Sequence, residues 1–200
     1  MEHRLAQRLS NYFVDESIIS QEDYEIYVYG SELLISFTIS TVFIALLGLV
    51  FNRLVETLLF LTIFIVLRRY TGGYHAPSHF KCKLTTVATY LLVLGLSEWT
   101  AMNLIYYIII FLSGCAVILS IGPIENPNKQ LSFQRKRKNR LLGLILFNIV
   151  IAISSILYIE HSEYSSSILY SAFMVIIMMI VAKMKTINKN VGGDINENDR

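Results

Sequence analysis

Between Met102 and Ile121 the chain carries no charged side chain. About twenty apolar residues, rising about 1.5 Å each, are what a helix needs to cross the hydrocarbon of a bilayer. Five more apolar runs lie at about 33–51, 54–67, 84–97, 141–159 and 168–182. The runs at 54–67 and 84–97 are shorter, and runs of about fourteen residues also serve as buried helices. Lipid offers the backbone no hydrogen-bond partners, so such a chain must satisfy its own amides within helices. With 54% hydrophobic and 16% charged residues in 200, the chain is too apolar for a soluble domain. The expectation is an all-α integral membrane protein of six transmembrane helices. Residues 1–189 would form one domain and 190–200 a flexible polar tail.

Charge placement supports six spans independently. With the amino terminus inside, sixteen of the seventeen Lys and Arg residues fall on the cytoplasmic side and only Arg53 falls outside. That is the asymmetry of the positive-inside rule, and a five-span count destroys it. Both termini are therefore expected in the cytoplasm, with insertion through the first span, since no cleavable apolar leader is visible. Leu5, Leu9, Tyr12 and Phe13 share a helical face apart from Arg4 and Arg8, which predicts a short N-terminal amphipathic helix at the membrane surface. A helix packed on the bundle has the same pattern. Trp99, Tyr106, Tyr107, Tyr158, Tyr164 and Tyr170 fall near the presumed outer ends, as interfacial anchors do.

The polar exception is RRYTGGYHAPSHFKCK, Arg68 to Lys83, between the second and third runs. Polar chemistry at a membrane edge is the default place to look for function. Cys82 stands between Lys81 and Lys83, a setting that favours a thiolate, and a nucleophilic thiol needs a base. His75 precedes it by seven residues, which on a straight helix separates the two by about 10 Å along the axis. A working pair thus requires a bend. Gly72, Gly73 and Pro77 supply one, with the next helix starting near Pro77 or Ser78 and Cys82 one turn inside it. The helix N-terminus or the Gly72–Gly73 amides could then hold an oxyanion. Cys115 lies in an apolar run and reads as a small buried hydrophobe.

Residue order leaves rivals standing. His79, three residues before Cys82, could be the base instead. His75, His79 and Cys82 have the spacing of zinc ligands on a helix, but Pro77 interrupts that helix and two lysines would repel a dication. No metal and no cofactor is therefore expected. The stretch could also be a basic loop that binds anionic headgroups.

The motif, with the chain length, the span count and the basic loop near 129–140, resembles the accessory gene regulator B (AgrB) family. Its members are membrane cysteine endopeptidases that process the precursor of a cyclic autoinducing peptide in quorum sensing. The resemblance implies that His75 and Cys82 are the catalytic pair and that Arg68 and Gly73 are motif positions supporting them. It implies an AgrD-type propeptide as substrate, an acyl thioester on Cys82, and closure of a thiolactone or lactone ring. It also leaves room for a homodimer.

Lys129, Arg135, Lys136, Arg137, Lys138 and Arg140 make a second basic cluster, expected in the fourth loop. It serves as a topology signal and lipid contact, and it could dock an acidic segment of the peptide. Nucleic acid is not expected, because the patch is short, lacks interleaved aromatics and abuts a span. Glu56, Asn103 and Asn148 are candidates for contacts between helices, with Glu98 at an edge. A small channel or transporter, or a non-catalytic scaffold, is the alternative reading. Neither paired broken spans nor an intramembrane charge relay is visible to support transport.

Overall fold

A computed structural model describes residues 2–72, 79–99, 103–124 and 132–197. Its regular elements are all helical: α1 (Glu2–Asp15), a 3-10 turn (Gln21–Asp23), α2 (Tyr24–Val50), α3 (Leu54–Thr71), α4 (His79–Trp99), α5 (Leu104–Ile121), α6 (Phe133–Ile159) and α7 (Tyr164–Glu197). Polar residues at the ends explain several boundaries. Ser20 accepts from the Asp23 amide, Asn103 from Ile105 and Ser132 from Arg135, each supplying a partner that a helix N-terminus lacks. The turns after α2 and α6 place Asn52 and His161 at positive φ.

The bundle is built around α7, which touches α3, α4, α5 and α6. Its residues from Ser165 to Ala172 are all buried, as are Met174, Val175, Ile176 and Met179. Phe60, Phe64 and Leu67 of α3, Tyr90 and Val93 of α4, Ile118 of α5 and Phe147 of α6 complete the core. Small residues bring the helices close: a side chain at Gly114 would overlap the Phe147 ring, and one at Gly48 would overlap Thr57. The outer faces carry exposed Leu34, Phe37, Phe43 and Leu46 on α2, Ile105, Ile109 and Leu112 on α5, and Ile149 and Ile153 on α6. Such a surface suits lipid rather than water. Hydroxyls within it are satisfied locally, as when Thr38 donates to the Leu34 carbonyl at 2.9 Å and Ser155 to that of Ile151 at 2.8 Å.

Among the described residues four helices are long and apolar enough to cross a membrane: Gln21–Val50, Leu104–Ile121, Phe133–Ile159 and Tyr164–Thr186. The expected runs at 54–67 and 84–97 form α3 and α4, which fall below that standard. Glu56, Arg68 and Arg69 lower the apolarity of α3, and α4 opens on a polar turn. The Arg135–Arg140 run, expected in a loop, forms the opening turns of α6. Arg and Lys are good helix formers, and the Ser132 cap sets the start ahead of them. α7 continues through Glu197, into the stretch expected to be a tail. α1 packs its small face, Ala6 and Ser10, on α2 and leaves Leu5, Leu9 and Tyr12 exposed. Its His3 meets Glu32 at 3.4 Å.

Candidate active site

α3 brings Arg68 to its last turn, and α4 places Cys82 in its first. The two side chains come near enough to interact, Cys82 favouring the charged form of the Arg68 guanidinium. Burial pushes the pKa of Arg68 below its ordinary value, and Cys82 opposes this. The guanidinium also lies 5.3 Å from the centroid of the Phe64 ring, one turn earlier on the same helix. A cation held against sulfur beside a helix N-terminus is a counter-charge for a thiolate. Cys82 is half-buried, and its carbonyl accepts from Thr86 Oγ1 at 3.0 Å.

Gly72 ends α3 with φ 74 and ψ −164. That region of backbone space is essentially reserved for glycine and costs other residues about 1–3 kcal/mol. Space makes the same demand, because a Cβ here would overlap the Ile124 carbonyl oxygen and stand 2.9 Å from its nitrogen. The Ile124 amide donates to the Thr71 carbonyl at 2.9 Å, so the segment after α5 is pinned to the end of α3. Gly72 thus turns the chain toward the motif's next residues while seated against a second connection.

His75, Gly73, Pro77, Ser78 and Lys129 lie outside the described residues. His79 is the first residue of α4. Arg135, Arg137 and Lys138 are exposed on α6, while Arg140 Nε donates to the Gly122 carbonyl at 2.7 Å. Among the described residues no group of His, Cys, Asp or Glu is arranged to hold a metal. Cys115 lies half-buried on α5 beside Asn148, whose Nδ2 donates to the Leu144 carbonyl at 2.7 Å.

Glu56 does more than join helices. It is buried and pairs with Arg53 at 3.0 Å, and Arg53 also reaches Glu98 at 3.4 Å. Thr57 and Tyr90 share a hydrogen bond of 2.7 Å next to this pair. Together they tie the α2–α3 turn to the end of α4, beside an open polar cleft of about 390 Å³ that Ser97, His161 and Glu163 also line. Fifteen residues along α3 separate Arg53 from Arg68, a rise of ~22 Å, so this cleft lies at the opposite end of that helix from Arg68. Three features escaped the sequence reading: the Arg68–Cys82 contact, the pinning of Ile124 to Thr71, and this ion-pair network. The glycine and proline after Ile121 marked a turn, but nothing in the sequence said what the turn would touch.

The sequence profile described as Accessory gene regulator B matches residues 6–179. The chain belongs to the AgrB family. An AgrB-like protein 2 of Clostridium perfringens (strain 13 / Type A) is 30% identical over 161 residues, covering 72% of this chain and 75% of the relative. Another AgrB-like protein, from Clostridium perfringens (strain SM101 / Type A), is 30% identical over 169 residues, or 79% of each. No solved structure matches the chain. Membership implies a part in accessory gene regulator peptide processing. The AgrB match runs from α1 into α7 and so includes both Arg68 at the end of α3 and Cys82 at the start of α4.

Proposed function

We propose that this AgrB-family chain is a cysteine endopeptidase of the bacterial cytoplasmic membrane. It removes the C-terminal tail of an AgrD-type autoinducing-peptide precursor and promotes cyclisation for quorum sensing. The observation that carries the reading is the Arg68 guanidinium brought close to Cys82 in the first turn of α4, where the sulfur favours its charge. A sulfur beside a cation and the free amides of a helix N-terminus is placed as a nucleophile rather than as core filler.

In this mechanism Cys82 Sγ attacks the scissile carbonyl carbon and its proton passes to His75. The tetrahedral oxyanion is held by backbone amides near the start of α4 or at Gly72–Gly73. As it collapses the C–N bond breaks, and His75 returns the proton to the departing amine. The acyl group stays on Cys82 as a thioester. A thiol or hydroxyl within the peptide then attacks that carbonyl, gives its proton to His75 and closes the ring. The C–S bond breaks, and Cys82 recovers the proton. The thioester must be kept from water for ring closure to win over hydrolysis, and a site at the bundle's inner edge meets that need. Six spans with both termini in the cytoplasm put Cys82, the opening of α6 and the membrane-surface helix α1 on one side. The exposed cations of α6 then dock the acidic tail of the precursor.

The test is direct. The reconstituted protein is incubated with the propeptide encoded beside it, and the products are resolved by mass spectrometry. A released tail and a hydroxylamine-sensitive peptide adduct are expected, abolished by Cys82→Ala and retained by Cys115→Ala. A tail released at the normal rate without Cys82 would overturn this mechanism, and a wild-type protein that releases no tail would leave the channel and scaffold readings in its place.

A further inference from the structure

The end of α3 is held from two directions by one face of α6. Gly143 packs directly on Thr71: a Cβ there would sit 3.0 Å from Thr71 Cγ2 and 3.7 Å from its backbone nitrogen. One turn earlier, Arg140 Nε donates to the Gly122 carbonyl at 2.7 Å. Two residues beyond Gly122, Ile124 donates its amide to the Thr71 carbonyl at 2.9 Å and crowds Gly72. Thr71 itself is buried, and its hydroxyl donates to the Leu67 carbonyl at 2.9 Å. The residue from which the chain leaves toward His75 is therefore fixed through a short chain of bonds that ends at Arg140.

We propose that Arg140 is a positioning residue: its hydrogen bond to the Gly122 carbonyl seats Ile124 against Thr71 and Gly72, and so sets where the His75 segment departs relative to Cys82. This separates Arg140 from the docking cations. Arg140 is exposed like Arg135, Arg137 and Lys138, but its Nε is engaged by the Gly122 carbonyl and is not available to a ligand as theirs are. The inference rests on the His75–Cys82 reading given above, and it assigns a task to a residue outside that pair.

Two substitutions divide the possibilities, because they keep different halves of the arginine. Glutamine carries an N–H donor the same number of bonds from Cα as Arg Nε, and loses the charge. Lysine keeps the charge and has a methylene at that point. Both are made in the full-length protein in lipid nanodiscs on a Cys115→Ala background, which leaves Cys82 as the one remaining thiol. Peptide turnover and the rate of Cys82 alkylation by iodoacetamide at fixed pH are read for each, beside His75→Ala as reference. Loss of one such bond predicts that Arg140→Lys lowers kcat by up to about tenfold with KM unchanged, and slows alkylation toward the His75→Ala rate. Arg140→Gln should stay within about threefold on both readings. The opposite order, with Lys retained and Gln impaired through KM, would make Arg140 a docking charge and overturn the inference. Wild-type behaviour in both variants would overturn it too. Alkylation that His75→Ala leaves unchanged would instead remove the dyad reading, and this inference with it.

Discussion

Arg68 places a guanidinium where burial disfavours its charge and Cys82 favours it. A residue held in that balance is not interchangeable with lysine. The planar guanidinium can bond sulfur and still lie over the Phe64 ring, whereas an ammonium is a compact, strongly hydrated point charge. Hydrogen bonds to charged groups are worth about 1.5–3 kcal/mol, so Arg68→Lys should lower kcat by about 10- to 100-fold. The KM for the peptide should change little, because the lost contact is to the nucleophile. Steady-state kinetics on the reconstituted variant check this, and a KM rise with unchanged kcat would place Arg68 on the substrate instead.

At the scale of elements, α6 opens in a way that opposes its own electrostatics. Cations in the first turns face the positive end of the helix dipole, at a cost of about 0.3–1 kcal/mol each when exposed. Arg135, Lys136, Arg137 and Lys138 sit there in sequence, and the stability of the helix comes from its packed apolar remainder. Replacing these four by glutamine should therefore leave α6 folded and the melting temperature unchanged or slightly raised. If they dock an acidic peptide tail, the same variant should show a higher KM at low salt, and the difference from wild type should fade near molar salt, where screening acts over about 3 Å. An unchanged KM at every ionic strength would reduce the cluster to a topology signal. Circular dichroism and peptide titration at several salt concentrations supply both readings.

For the whole molecule, the central question is which ends of the helices share a side of the membrane. The Arg53–Glu56–Glu98 network and the polar cleft beside it stand at one end of α3, with Arg68 and Cys82 at the other. If α3 and α4 cross with their neighbours, Asn52 faces outward and Ser132 faces the cytoplasm. On a Cys82→Ser, Cys115→Ala background, Asn52→Cys should react with an impermeant maleimide in intact cells. Ser132→Cys should react only after lysis. Labelling of both from outside, or of neither, would refute the six-span arrangement.

Apolar periodicity and turn chemistry, both local properties, were enough to delimit the bundle. The six runs anticipated helices where α2 through α7 lie, four of them long and apolar enough to cross a membrane, because covering backbone amides in lipid leaves helices as the available answer. The RRYTGGYHAPSHFKCK stretch, with the chain length, the span count and the basic loop, pointed to the AgrB family, as the match over 6–179 bears out. What the sequence could not hold were contacts between residues far apart in the chain. Arg68 reaches Cys82, Ile124 reaches Thr71, and Arg140 reaches Gly122 only because α7 gathers α3, α4, α5 and α6 around itself. The packing of side chains across those interfaces decides each meeting, and a linear pattern records which faces are apolar but not which faces are neighbours.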